Sequence, residues 1–242
     1  MLAEAIEQLG ALKLAPMARR LQEWADDPAN VGKSHAQCVL ELALAQRQAI
    51  TNTRIRRVFV RADLPDGACL NDFRSAGKRG VSPTVLGNLA TCDWVRRGLN
   101  LIITGGSRSG KTFLARAFTR EAASLGLSVA FWRVPDLLAQ CAIHLDEKGA
   151  IGRASFVKKQ ARVDLLVLDD FALERMRSKS CYALRQLLDA RDRHERALLV
   201  ASPTAIADWR GYFEDTTSAE AIFSRVLSRH NHIEIKGQPP AM

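Results

Sequence analysis

The chain has 242 residues, of which 47% are hydrophobic, with 15 Gly, 8 Pro and 5 Cys. That is enough apolar material for a sizeable core, and it excludes collagen-like, low-complexity and disulfide-framed architectures. The formal net charge of +9 favours nucleic acid or another polyanion as partner, a merely basic soluble enzyme being the other reading.

Residues 1–26 place Leu2, Ile6, Leu9, Leu14, Met17, Leu21 and Trp24 at helical spacings, interrupted near Pro16, so two short amphipathic helices are expected. DDPANVGK reads as a loop, and Ser34 with Gln37 has the spacing of a capping box. A long helix follows from His35 to about Ala62. Its far end carries Arg47, Arg54, Arg56, Arg57 and Arg61 with no acidic residue among them. A solvated basic face and a phosphate-backbone contact both fit, and the missing acids favour the contact. PDG marks a turn, and a further helix is expected over Val81–Arg97.

From there apolar runs alternate with helical segments. Strands are expected at 99–104, 127–132, 164–169, 197–202 and in HIEIK. Helices are expected at 111–124, 135–146, 150–162, 179–193 and 218–228. That alternation indicates an α/β fold with a parallel sheet covered on both faces. The scattered cysteines (Cys38, Cys69, Cys92, Cys141, Cys181) sit at no metal-ligand or redox spacing and suit free thiols in a reducing compartment. MLAEAIEQLG has no secretory pattern, and no run of about 18 apolar residues occurs, so a cytoplasmic protein is expected.

The chemistry starts at GGSRSGKT. Gly105, four residues, then Gly110, Lys111 and Thr112 form a phosphate-loop pattern between an expected strand and an expected helix. Gly105, Gly106, Ser107, Arg108, Ser109, Gly110, Lys111, Thr112 and Phe113 are the candidate nucleotide contacts. Lys111 would reach the β- and γ-phosphates and the Thr112 hydroxyl would hold Mg²⁺. LLVLDDF then ends an apolar strand in two carboxylates. Asp169 would hold the Mg²⁺, and Asp170 could accept a proton from the attacking water. Ser202, Pro203 and Thr204 close the strand ALLVAS, where a polar side chain could orient that water. An ordinary strand exit is an equal reading there. From spacing alone Arg225, in AIFSRVLSRH, is one arginine among many.

Taken together, GGSRSGKTFLARA, VAFWRVPDLLAQ, DLLVLDDFAL, LLVASPTAIADWRGYFED and AIFSRVLSRHNHIEIKG resemble the IstB-like ATPases, ATP-binding helpers of a bacterial insertion-sequence family close to the DnaC helicase loaders of the AAA+ class. The likeness covers nearly the whole chain. LGALKLAPMARRLQEW resembles that family's N-terminal helical domain. The resemblance implies an AAA+ P-loop core over 67–242 without a helical lid, preceded by a small all-α domain over 1–66. It also implies an ATP- and Mg²⁺-dependent homo-oligomer on duplex DNA that helps its element's transposase engage a target and hydrolyses ATP. Arg225 matches the family's arginine-finger position. Basic side chains of both domains, here Arg47, Arg54, Arg56, Arg57, Arg61, Lys158 and Lys159, would contact DNA.

Four departures stand out. Ser107, Arg108 and Ser109 replace the family's usual proline and threonine. The carboxylate pair is Asp-Asp. Pro203 stands where an asparagine is expected, and GQPPAM lacks the usual polar-aromatic ending. A helicase loader, a poorly hydrolysing ATP-dependent scaffold and, more weakly, a small-molecule kinase are the rival readings.

Overall fold

Near the start of the chain, the apolar spacing produces helices α1 (Leu2–Ala11) and α2 (Ala15–Asp26). The break falls at Lys13, whose φ is 62°, and Pro16 lies in the first turn of α2, where its missing N–H costs nothing. Within the expected loop, Pro28–Asn30 form one 3-10 turn. The capping box forms reciprocally: the Ser34 amide donates to Gln37 Oε1 (2.8 Å) and the Gln37 amide to Ser34 Oγ (3.3 Å). It opens α3 (His35–Arg61). The computed structural model describes residues 1–62, 64–65, 67–73 and 80–236. The chain divides into two compact units, Met1–Arg57 and Val58–Met242, and the division falls within α3. The boundary expected after Asp66, part of the PDG turn and the GQPPAM tail lie outside the described residues.

In the second unit the single helix expected over Val81–Arg97 is two, α4 (Pro83–Ala90) and α5 (Asp93–Arg96). Cys92 sits between them at φ 54°, and the Thr91 hydroxyl ends α4 on the Asn88 carbonyl (2.9 Å) while accepting from the Asp93 amide (3.3 Å). A side chain that bonds the backbone locally stops one helix and starts the next.

The expected alternation follows as β1 (Asn100–Gly105), α6 (Lys111–Ser124), β2 (Val129–Arg133), α7 (Val134–Arg162), β3 (Leu165–Asp169), α8 (Ser178–Asp192), β4 (Ala197–Ser202), α9 (Thr216–Val226) and β5 (His230–Ile235). Gly149, at φ 62° and ψ −163°, kinks α7 where the sequence suggested two helices. The strands form one sheet in the order β2-β3-β4-β1-β5, every pairing parallel. β1, β3 and β4 are central and buried, as continuous apolar strands covered on both faces must be. Period-two alternation sends Leu101, Ile103, Val167 and Leu199 to the layer under α4, α5 and α6, and Ile102, Leu166, Leu168 and Val200 to the layer under α7, α8 and α9. Parallel register brings Gly105, Arg133, Asp169, Ser202 and Ile235 to the same edge of the sheet. In such sheets ligands bind at that carboxyl edge.

The last turn of α7 is fixed by a buried arginine. Arg191 of α8 is 2% exposed and donates to the carbonyls of Gln160 (2.8 Å), Val163 (3.1 Å) and Ala197. Burial pushes its guanidinium down to about 9, still far above neutrality, so it remains a cation. No carboxylate is needed beside it, because the carbonyl end of a helix carries the negative pole of the helix dipole. Replacing it with methionine keeps the volume and strands those carbonyls. Arg191→Met should therefore cost about 3 kcal/mol of stability, roughly 10 °C in Tm by thermal denaturation. A shift under about 2 °C would show that water satisfies the carbonyls instead.

Candidate nucleotide-binding site

The loop after β1 is shaped by glycine at two positions. Gly105 has φ 152°, and a Cβ there would come within 2.5 Å of the Ile235 carbonyl on β5. Gly110 has φ 101° and turns the chain into α6. The first helical hydrogen bond of α6 runs from Leu114 N to Gly110 O (2.9 Å), which leaves the amides of Lys111, Thr112 and Phe113 without acceptors inside the helix. No side chain caps them. The Ser109 hydroxyl is buried without a hydrogen-bond partner among the described residues. Lys111 lies back over the loop, its Nζ donating to the Gly106 carbonyl (2.7 Å), and burial lowers its pKa against the pull of Asp169 and Asp170. Orphan amides at a helix start beside a buried lysine fit the oxygens of a polyphosphate. Phe113 offers only its main chain to that site, since its ring stacks on Phe73 (6.2 Å between centroids) in the core. Arg108, at the exposed tip of the loop, has φ 60°. That conformation favours glycine and costs an arginine about 1–2 kcal/mol.

Across the edge, Asp169 ends β3 and is 3% exposed. It accepts hydrogen bonds from the Thr112 hydroxyl and from the Asp170 amide (3.0 Å). Burial raises its pKa above the usual carboxylate range, and those hydrogen bonds only partly oppose this. A hydroxyl and a buried carboxylate held together are the oxygen donor set that suits Mg²⁺. Asp170 adopts φ 57°, and its carboxylate accepts from Arg133 Nε at the end of β2 (2.9 Å). Sequence reasoning missed Arg133. Only the β2–β3 pairing, which sets Arg133 opposite Asp169, brings it here.

The end of β4 behaves differently from the reading in which it orients a water. The Ser202 hydroxyl donates to the Phe171 carbonyl (2.7 Å) and accepts from Trp209 Nε1 (3.0 Å), and the Thr204 hydroxyl donates to the Ala172 carbonyl (3.1 Å). Pro203 has no N–H. These residues tie β4 to the segment after β3, which is the strand-exit alternative.

Arg225 lies at the other end of the sheet. The Asn100 side chain, at the start of β1, donates to the carbonyls of Arg225 (2.8 Å) and Val226 (3.0 Å) and accepts from the Leu198 amide (3.1 Å). Gly105 is the length of β1 away, about 17 Å. The Arg225 side chain donates to the Ala221 carbonyl (2.7 Å) and pairs with Asp189 of α8. It is not part of this chain's own phosphate site.

The basic candidates divide among surfaces. Arg47, Arg54, Arg56 and Arg57 are exposed on α3 in the first unit, and Arg47 and Arg54, seven residues apart, share a stripe. Arg61 and Lys159 line one pocket of the second unit, at the edge strand β2. Lys158 lines another, between α7 and α8.

A five-stranded parallel sheet in this order, with a phosphate loop after β1 and a carboxylate pair after β3, defines a P-loop nucleotide-binding protein of the AAA+ type. The AMPPCP-bound DnaA of Aquifex aeolicus shares the fold with a TM-score of 0.56 at 18% identity, over 71% of this chain and 51% of that one. The DnaC helicase loader does so with a TM-score of 0.51 at 19% identity, over 63% of this chain and 89% of that one. The chain belongs to the IstB-like ATP-binding protein family, whose profile matches residues 7–240. It is 30% identical to an insertion sequence ATP-binding protein of Sinorhizobium fredii over 96% of this chain and 91% of that one. It is 34% identical to the ATP-binding protein of insertion sequence IS1162 from Pseudomonas fluorescens, over 77% and 80%.

Two substitutions probe the site. The folded pKa of Asp169 is raised, so its protonated form favours folding at low pH and that contribution is lost as pH rises through the raised value. At neutral pH its charge is a cost, offset when a cation binds. Asp169→Asn should be at least as heat-stable as the parent without nucleotide and gain nothing from Mg²⁺-ATP, read by thermal shift with and without EDTA. In the parent, Mg²⁺-dependent stabilisation should fade on acidification at a higher pH than an ordinary aspartate would give. Arg108→Gly should relax the loop backbone while removing a charge beside the phosphates, lowering ATP affinity about threefold at low salt and less at high salt by calorimetric titration. Equal affinity at both salts would make Arg108 a bystander.

Proposed function

We propose that this chain is a DNA-binding AAA+ ATPase that assembles with copies of itself on duplex DNA, completes its ATP sites between copies, and assists the transposase of its insertion sequence. The observation that carries the reading is the separation of Lys111 from Arg225 by the length of β1, which leaves one copy with only half of a hydrolytic site.

Lys111 exchanges the Gly106 carbonyl for the β- and γ-phosphates, and the amides of residues 110–113 hold their oxygens. Thr112 and Asp169 would hold Mg²⁺, which neutralises phosphate charge. Asp170, released from Arg133, takes a proton from the attacking water. Arg225, released from Asp189, reaches the γ-phosphate held by a neighbouring copy and offsets the charge that develops there. With Ser202 and Thr204 committed to main-chain carbonyls and Pro203 lacking a donor, β4 offers no group to orient that water. Hydrolysis is therefore slow, and a scaffold that releases DNA reluctantly is the second reading this observation favours. Arg47, Arg54, Arg56 and Arg57 on α3, with Arg61, Lys158 and Lys159, contact phosphates of the duplex without reading sequence.

Duplex binding should require ATP and weaken steeply with salt. Lys111→Ala should abolish the ATP-dependent part, measured by fluorescence anisotropy with and without ATP. If Lys111→Ala binds DNA like the parent under both conditions, the coupling is wrong. Arg225→Ala should keep ATP affinity within about twofold yet lose turnover. Mixing it with Lys111→Ala should restore some turnover, since one variant supplies the loop and the other the arginine. No recovery in the mixture, with both variants folded, would count against a shared site.

A further inference from the structure

The edge strand β2 borders a pocket of about 380 Å³ that the nucleotide site does not use. Among the described residues its lining belongs to the second unit and holds two cations, Arg61 and Lys159, and no carboxylate. Three rings form one wall. Trp132 meets Phe156 edge-on (5.8 Å between centroids), and His144 lies against Phe156 at 4.6 Å. Trp132 is held in place by its Nε1, which donates to Gln160 Oε1 (3.0 Å). His144 Nδ1 faces the Gln140 carbonyl (2.9 Å), so that nitrogen carries the hydrogen and Nε2 is an acceptor in the neutral ring. β2 is the last strand of the sheet, so its outer N–H and C=O groups have no strand partner among the described residues.

We infer that this pocket takes a single unstacked nucleotide, its base against the Trp132–His144–Phe156 wall and its phosphate at Arg61 and Lys159. The size suits a mononucleotide unit. The ring wall is pre-set by hydrogen bonds, so stacking costs little ordering. Outward main-chain groups of β2 and His144 Nε2 supply donors and acceptors for the edge of a base. An added β-strand is the wrong occupant, because Val58, Arg61 and Ala62 at the end of α3 line the same space. An acidic aromatic peptide would also match the charge, and the test below separates it from a nucleotide. The nucleotide has two sources, a free mononucleotide or a base extruded from a strand. The inference rests on the DNA-binding reading above and adds to it a preference for distorted DNA.

The test uses the full chain with its loop occupied by a non-hydrolysable ATP analogue. Binding of a duplex with one bulged 2-aminopurine is compared with that of the same duplex fully paired. The bulged duplex should bind at least tenfold tighter, because stacking on one aromatic side chain is worth about that much, and its 2-aminopurine emission should be quenched. Trp132→Leu should erase the preference, leave paired-duplex affinity and ATP binding within about twofold, and be rescued by Trp132→Phe. AMP that competes away the preference identifies a free nucleotide as a second ligand, and its failure to compete identifies the strand as the source. No preference for the bulge, a preference that survives Trp132→Leu, or displacement by an acidic aromatic peptide more readily than by oligonucleotide would each overturn the inference. Loss of ATP-dependent binding to paired duplex as well would overturn the broader reading and not the pocket alone.

Discussion

The parallel pairing of β1, β3 and β4 is the constraint on which everything else depends. It buries three apolar strands on both faces and so aligns their carboxyl ends, delivering the loop, Asp169 and Asp170 to one edge. The same pairing places Asn100, and through it the last turn of α9, at the opposite edge. A sheet about 17 Å deep cannot bring Arg225 to its own phosphates. Under the proposed function, the sharing of the site between copies is a geometric consequence of sheet depth.

Groups expected to act on the nucleotide each have a partner in this chain. Lys111 is on a carbonyl, Asp170 on Arg133, and Arg225 on Asp189. The Arg133–Asp170 pair is half open to solvent on the arginine side, with Arg133 at 56% exposure. Exposed pairs of this kind contribute about 0–1 kcal/mol, so a polyanion or a second copy can displace them at little cost. Asp169 is the opposite case. Buried and raised in pKa, it gains most from a bound cation. The fixed carboxylate and the exchangeable pairs together describe a site organised before ligand arrives, with its reacting groups held aside.

What the sequence could reveal was decided by range. The phosphate loop, the carboxylate pair and the Ser34–Gln37 capping box are local patterns, in which neighbours along the chain are neighbours in space. The split at Cys92 was less readable, because the signal is one Thr–Cys pair whose hydroxyl competes with the helix backbone. Arg191 and Asn100 were unreadable. They act on carbonyls tens of residues away, and nothing marks Arg191 out among the 35 Lys and Arg side chains until the fold buries it. Arg133 needed the register of β2 on β3. Ser202 and Thr204 were ambiguous because a hydroxyl at a strand end looks the same whether it faces a ligand or a carbonyl.

The position of Pro203 acquires a physical meaning from its neighbours. Trp209 and the Phe171 carbonyl already occupy the Ser202 hydroxyl, and the Ala172 carbonyl occupies that of Thr204. An asparagine at 203 would have been the one side chain there with unspent hydrogen-bonding capacity. Proline instead fixes φ in the link between β4 and the Thr204 turn, stiffening the strand exit where the resemblance leads one to expect an asparagine. Such a site can hold ATP on the loop, Thr112 and Asp169 alone, since none of these depends on β4. Under the proposed function, what it lacks is a side chain on β4 to aim water at the phosphate. Nucleotide occupancy and nucleotide turnover are therefore separable in this chain. Under the proposed function, in which the chain stays on DNA until a transposase arrives, the first matters far more than the second.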